Sequence, residues 1–237
     1  MKDMEDYASQ WDISAKYFYD KEYYSWMAKG IEEYYTILEV GCGTGYSTLA
    51  LVQAGHKVIA IEKNPDCITK AKKLLRKKEI SDNNVIFIEG DVADDSFRKT
   101  LIKENEFDVV ICWNTGTYWN KEMMQYYLPH MLEYGLNMWQ IKDNPESSYA
   151  ELILWESCRL ASEKKVAIHI VDRGAEILTE KNDPYYKVLQ SEFHYSEILY
   201  DNQLAKSISS GGRTLSTNGV VDDENIIDIV LISILMK

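Results

Sequence analysis

From residue 37 onward, short runs rich in β-branched residues alternate with stretches of helical periodicity, which restricts the chain to a parallel sheet covered by helices. The runs are ILEV at 37–40, KVIAIE at 57–62, NVIFIE at 84–89, FDVVICW at 107–113 and VAIHIV at 166–171. Helices are expected between them. One passes through Leu49, Leu51 and Val52 and stops before Gly55, a residue suited to the left-handed position beyond a helix end. Asn64 with Pro65, and Asn144 with Pro145, each read as an N-cap and first helical residue, opening helices to about residues 78 and 164. The tail adds strands at roughly 195–205 and 226–236, and the polar segment between them, 207–224, reads as a mobile loop. Residues 1–36 are loosely helical, with Ile13, Tyr17, Tyr24 and Met27 on one side.

Charge narrows the partners. Lys plus Arg is 26 against 38 Asp plus Glu, a net charge of −12 over 237 residues. Such a surface repels phosphate backbones and anionic lipid heads, so neither nucleic acid nor a membrane is expected as a partner. The most apolar stretch, 226–236, contains Asp228 and is too short to span a bilayer. Cys42, Cys67, Cys112 and Cys158 lie far apart, with no CxxC pair and no Cys/His cluster at ligand spacing. They read as reduced thiols of a cytoplasmic protein, and no metal site is expected. The acidic opening MKDMEDYASQ, without the apolar core of a secretory signal, supports the same location.

Residues 39–45, EVGCGTG, form the pattern E-x-G-x-G-x-G at a strand-to-helix junction. Glycines there let the backbone turn tightly and let a ligand lie against the main chain, beside the positive end of the helix. Two carboxylates stand where the next strands end. Glu62, 21 residues after Gly41, can accept hydrogen bonds from two ribose hydroxyls. Asp91 can accept from an exocyclic adenine amine.

With these motifs the chain resembles the class I S-adenosylmethionine-dependent methyltransferases of small-molecule type. ILEVGCGTG, VIAIEKN, IEGDV and FDVVICWN match four of that family's motifs in order, and the resemblance spans about residues 37–173. It implies a Rossmann-like α/β fold, a seven-stranded sheet of order 3-2-1-4-5-7-6 with helices on both faces and strand 7 antiparallel. It implies S-adenosyl-L-methionine as methyl donor, with S-adenosyl-L-homocysteine as product. Glu39, Gly41, Cys42, Gly43 and Gly45 would border the methionine moiety, Glu62 and Lys63 the ribose, Asp91 and Val92 the adenine, and Cys112 and Trp113 the edge of the methyl-donor site. A nicotinamide-binding sheet is the rival, but its G-x-G-x-x-G fingerprint fails here because Gly43 and Gly45 are two apart and residue 46 is Tyr.

Residues 1–35 and 113–149 hold 18 of the 28 aromatic residues and lie outside the strand–helix framework. They read as extra helices on the core and as two walls of a ligand pocket. The expected organisation is one domain over 1–237. It divides into an N-terminal helical lid (1–36), a cofactor-binding half (37–113), an aromatic insertion capping the acceptor (114–148) and the second half of the sheet (149–237). Asn114 is the candidate to orient the acceptor's amine or hydroxyl. Tyr17, Tyr19, Thr115, Tyr118, Trp119, Arg173 and Arg213 are the other candidates for the acceptor pocket. Strand 4 lacks the Asn/Asp-Pro-Pro-Tyr/Phe ending of many planar-nitrogen methyltransferases, and His130 and His169 read as structural. The expected reaction is methyl transfer to a small molecule, at N, O or C. An RNA or protein methyltransferase and a non-catalytic cofactor binder are the alternatives.

Overall fold

The computed structural model describes residues 2–113, 121–210, 213–214 and 226–237, with backbone alone at 2–3, 121–122, 209–210 and 213–214. Seven strands form the sheet: β1 (Thr36–Val40), β2 (Lys57–Glu62), β3 (Val85–Glu89), β4 (Val109–Trp113), β5 (Ala167–Gly174), β6 (Ile198–Ser207) and, after a small hairpin of β7 (Ser209–Ser210) and β8 (Arg213–Thr214), β9 (Ile227–Met236). Their order is β3-β2-β1-β4-β5-β9-β6. The first five are parallel, and β9 runs antiparallel to both β5 and β6. This is the expected 3-2-1-4-5-7-6 sheet, β9 being the seventh strand. The hairpin occupies part of the expected 207–224 loop; the remainder of that segment lies outside the described residues.

Two strand ends differ from the sequence reading. Strand β5 runs past residue 171 to Gly174, because the apolar run of β9 offers it partners: Asp172 pairs with Ile232 and Arg173 with Leu231. Strand β4 starts two residues late, at Val109. Asp108 instead turns its carboxylate to accept from the Tyr35 and Thr36 amides at 3.1 and 2.7 Å, fastening the entry of β1.

Helices α1 (Lys2–Asp20), α2 (Tyr23–Lys29), α3 (Tyr46–Gln53) and α4 (Pro65–Lys77) cover one face, with Phe18, Tyr24, Met27, Ile31 and Leu51 buried against it. Helices α5 (Asp95–Glu104), α6 (Lys121–Tyr134), α7 (Met138–Asp143), α8 (Pro145–Lys164) and α9 (Tyr186–Glu192) cover the other, burying Leu101, Met131, Ile141, Leu152 and Leu189. The N-caps are as read: the Asn64 side chain accepts from the Asp66 amide and that of Asn144 from the Ser147 amide. The two aromatic-rich additions therefore lie on opposite faces of the sheet. Among the described residues no helix is long and apolar enough to cross a membrane.

Candidate active site

The glycine loop needs its glycines. Gly41, Gly43 and Gly45 have φ of 74°, 52° and 87°, in the left-handed region that other residues rarely adopt. The Gly41 and Cys42 amides both donate to the Ile61 carbonyl, stitching the loop to the end of β2. The Gly43 amide donates to Glu62 Oε2 at 3.0 Å, and the Asn64 amide to Glu62 Oε1 at 2.9 Å. Glu62 thus ties the loop to the β2–α4 turn, and burial raises its carboxyl above the ordinary range. Glu39 is 2% exposed and points under the loop into α3, where the Ser47 and Thr48 hydroxyls donate to its two oxygens. Burial pushes its carboxyl up to about 7. Cys42 is buried, which raises its thiol and leaves no nucleophile there.

Beside the loop, Ile61, Glu62, Lys63, Asp91, Val92 and Tyr149 line a pocket at the ends of β2 and β3. The Lys63 ammonium sits 3.8 Å over the Tyr149 ring, and burial lowers it to about 8 against the pull of Asp91 and Glu62. Asp91 accepts from the Ala93 amide, and from the hydroxyls of Tyr127 on α6 and Tyr149 on α8. The insertion, expected to cap the acceptor, reaches Asp91 through Tyr127.

The N-terminal helix covers the loop from the opposite face. A Cβ built on Gly43 would lie 2.1 Å from the Trp11 indole nitrogen, so the indole packs directly on this glycine. The Asn64 side chain donates to the Met4 carbonyl at 3.0 Å, holding the first turn of α1 at the same place. Tyr19 lies along α3: its hydroxyl donates to Gln53, the last residue of that helix, at 2.9 Å, and its ring lies 5.6 Å from that of Tyr46, the residue that follows the loop. Tyr17 is partly buried among the aromatics of the same face, with the Lys21 ammonium 5.6 Å over its ring.

Alternation along β4 separates the next pair. Cys112 packs into the core of the α5–α9 face and Trp113 into that of the α1–α4 face, both at most 5% exposed. Trp113 is therefore not a rim residue. Its indole N–H donates to His169 Nδ1 at 3.0 Å, which leaves the proton on Nε2 to be donated to Ser233 at 2.7 Å. Burial keeps that imidazole neutral, its pKa lowered to about 3. Arg173 donates to Ser207 at 3.1 Å and lies 4.6 Å from the centre of the Phe18 ring. Asn114, Thr115, Tyr118 and Trp119, and the Arg213 side chain, lie outside the described residues.

Trp11, Tyr127 and Tyr149 were not found from sequence. Each reaches the site across a long gap, and no spacing rule links Tyr127 or Tyr149 to Asp91. Their only signal was the local excess of aromatics.

Residues 37–134 match the family described as "Methyltransferase domain". Over that stretch the chain is similar to methyltransferase domains. Over 75 residues the chain is 40% identical to the cypemycin N-terminal methyltransferase of Streptomyces sp, covering 32% of this chain and 26% of that protein. Over 80 residues it is 31% identical to a probable cobalt-precorrin-6B C(15)-methyltransferase (decarboxylating) of Methanobrevibacter smithii, covering 34% of this chain and 40% of the relative. The matches thus span less than half the length of either relative. The crystal structure of EvdMO1 superposes with a TM-score of 0.52 at 16% identity, over 90% of this chain and 40% of that one, a likeness of fold.

Proposed function

We propose that this chain transfers a methyl group from S-adenosyl-L-methionine to a small-molecule acceptor. The observation that carries the reading is the joining of the glycine loop to two strand-end carboxylates at one sheet edge. Glu62 binds the Gly43 amide directly, and Asp91 stands across the same pocket. A loop of left-handed glycines, an acid beside it and a second acid across the same pocket fit an adenosyl amino acid. Thr44 adds to the fit: its hydroxyl is buried in the loop and has no hydrogen-bond partner among the described residues. In this reading the loop main chain and Thr44 hold the amino-acid end, Glu62 the ribose, and Asp91 with Val92 the base.

When bound, the cofactor supplies a methyl carbon on a positively charged sulfur, an electrophile that needs no protein nucleophile. The chain's own share is to hold both partners in contact and exclude water. Trp11 seals the loop. Asn114, at the end of β4, is proposed to orient the acceptor, with Arg173 at the end of β5 on the same edge. The charge of −12 favours a small acceptor over RNA, and a cobalt-precorrin in the name of one relative agrees with that.

Calorimetry should show S-adenosyl-L-methionine and S-adenosyl-L-homocysteine binding in the micromolar range, about 8 kcal/mol. Labelled methyl from the donor should enter a low-molecular-mass fraction of a cell extract. Binding of neither ligand overturns the reading. Label confined to RNA or protein overturns the acceptor class alone.

A further inference from the structure

Asp91 is held from three sides. Its Oδ1 accepts from the Ala93 amide at 2.9 Å, and its Oδ2 from the Tyr127 hydroxyl at 2.6 Å and from the Tyr149 hydroxyl. The two rings lie 4.8 Å apart and come from different segments, the insertion and α8. The peptide that supplies the amide is fixed at its other end too. The Val92 carbonyl accepts from Arg98, whose guanidinium meets Glu156 of α8 at 3.0 Å, with both side chains buried. Tyr149, Ile153 and Glu156 fall at i, i+4 and i+7, so one face of α8 backs the base pocket and its loop.

We infer that Tyr127 and Tyr149 set the base selectivity of this pocket, by fixing the direction in which Asp91 can still accept a hydrogen bond. The inference rests on the proposed function, in which Asp91 meets the purine. An ionised carboxylate offers about four acceptor positions, and three are filled by the amide and the two hydroxyls. The position left faces one way and calls for a donor, as the 6-amino group of adenine is. A 6-oxo purine brings an acceptor to the same place. Were the carboxylate free to swing, it could turn instead to the N1–H of that base. The two hydroxyls deny it the second orientation, so selectivity comes from a blocked alternative as much as from the contact made. Tyr149 is anchored in the core at 1% exposure, and Tyr127 brings the insertion into the same arrangement.

The test is calorimetry of the full chain with S-adenosyl-L-homocysteine and S-inosyl-L-homocysteine. Wild type should prefer the adenosyl ligand by at least about a hundredfold, as buried sites that match donors to acceptors do. In Tyr127→Phe, and separately in Tyr149→Phe, the preference should fall to about tenfold or less, chiefly because the inosyl ligand improves. Tyr126→Phe is the control, since that hydroxyl reaches Asp94 and not Asp91; its preference should stay at the wild-type value. Should Tyr149→Phe fail to fold, Tyr127→Phe carries the test alone. Full preference retained in the folded phenylalanine variants overturns the inference and leaves the cofactor reading standing. A wild type that binds both equally overturns the inference alone, and one that binds neither overturns the cofactor reading and the inference with it.

Discussion

Glu39 and Glu62 both serve the glycine loop, and their environments make different demands on solution conditions. With its carboxyl near 7 against an ordinary 4.5, folded Glu39 keeps a proton that the unfolded chain has already released. Its contribution to stability is therefore complete below pH 4.5 and is lost as pH rises through about 7. Melting curves of wild type and Glu39→Gln should diverge across that window, wild type losing on the order of 3 kcal/mol relative to the variant. Parallel curves would show that Glu39 is ionised throughout. Glu62 accepts two backbone amides, so Glu62→Ala removes structure as well as a ligand contact. Each charged bond is worth ~1.5–3 kcal/mol, so the variant should melt several degrees lower and bind S-adenosyl-L-homocysteine at least tenfold more weakly. Normal affinity with lowered stability would leave Glu62 a loop brace only. From sequence, Glu62 reads as a ribose acceptor, a role that stays part of the proposal. Its bracing of the loop was not legible, because the bonds to Gly43 and Asn64 depend on how the loop folds back.

Helix α1 and the insertion were legible as aromatic-rich additions, and their described parts pack on opposite faces of the sheet. Aromatic content located them, but only packing assigns α1 to one face and α6 to the other. The N-terminal segment is also more than a lid. Phe18, Tyr24, Met27 and Ile31 are almost fully buried against the sheet, and losing even one large core side chain costs about 3–5 kcal/mol. Deleting residues 1–30 should therefore unfold the chain, contrary to the separable lid that the sequence suggests; a cooperative melt of the truncated protein near the wild-type temperature would refute this. Trp11→Ala is the cleaner probe of covering. It removes the indole from Gly43 without stripping the face, and stopped-flow dissociation of S-adenosyl-L-homocysteine should accelerate at least about tenfold. An unchanged rate would mean that the indole only packs. The same contact decides what Gly43→Val would do: the valine would push α1 aside before meeting any ligand.

At the scale of the molecule, the parallel half of the sheet was readable strand by strand, because buried parallel strands are apolar runs with punctuation such as Asn64-Pro65 at their junctions. The tail was less so, since β5 takes its true length only from its pairing with β9. Net charge makes a molecule-wide prediction. At −12, binding to RNA in a gel-shift assay at physiological salt should be undetectable, and a shift accompanied by methyl label in the RNA would refute the acceptor class. The two-faced packing has a further consequence. The sheet is a partition: Tyr127 belongs to the core of the α5–α9 face, while Trp11, on α1, packs on Gly43. Thermal destabilisations from substitutions at the two positions should simply add, to within about 0.5 kcal/mol. Their effects on ligand affinity should not, because in the proposed function the adenosyl ligand lies between the two. A double variant would then report, through its departure from additivity, how far a single bound molecule couples two halves that the sheet keeps strangers.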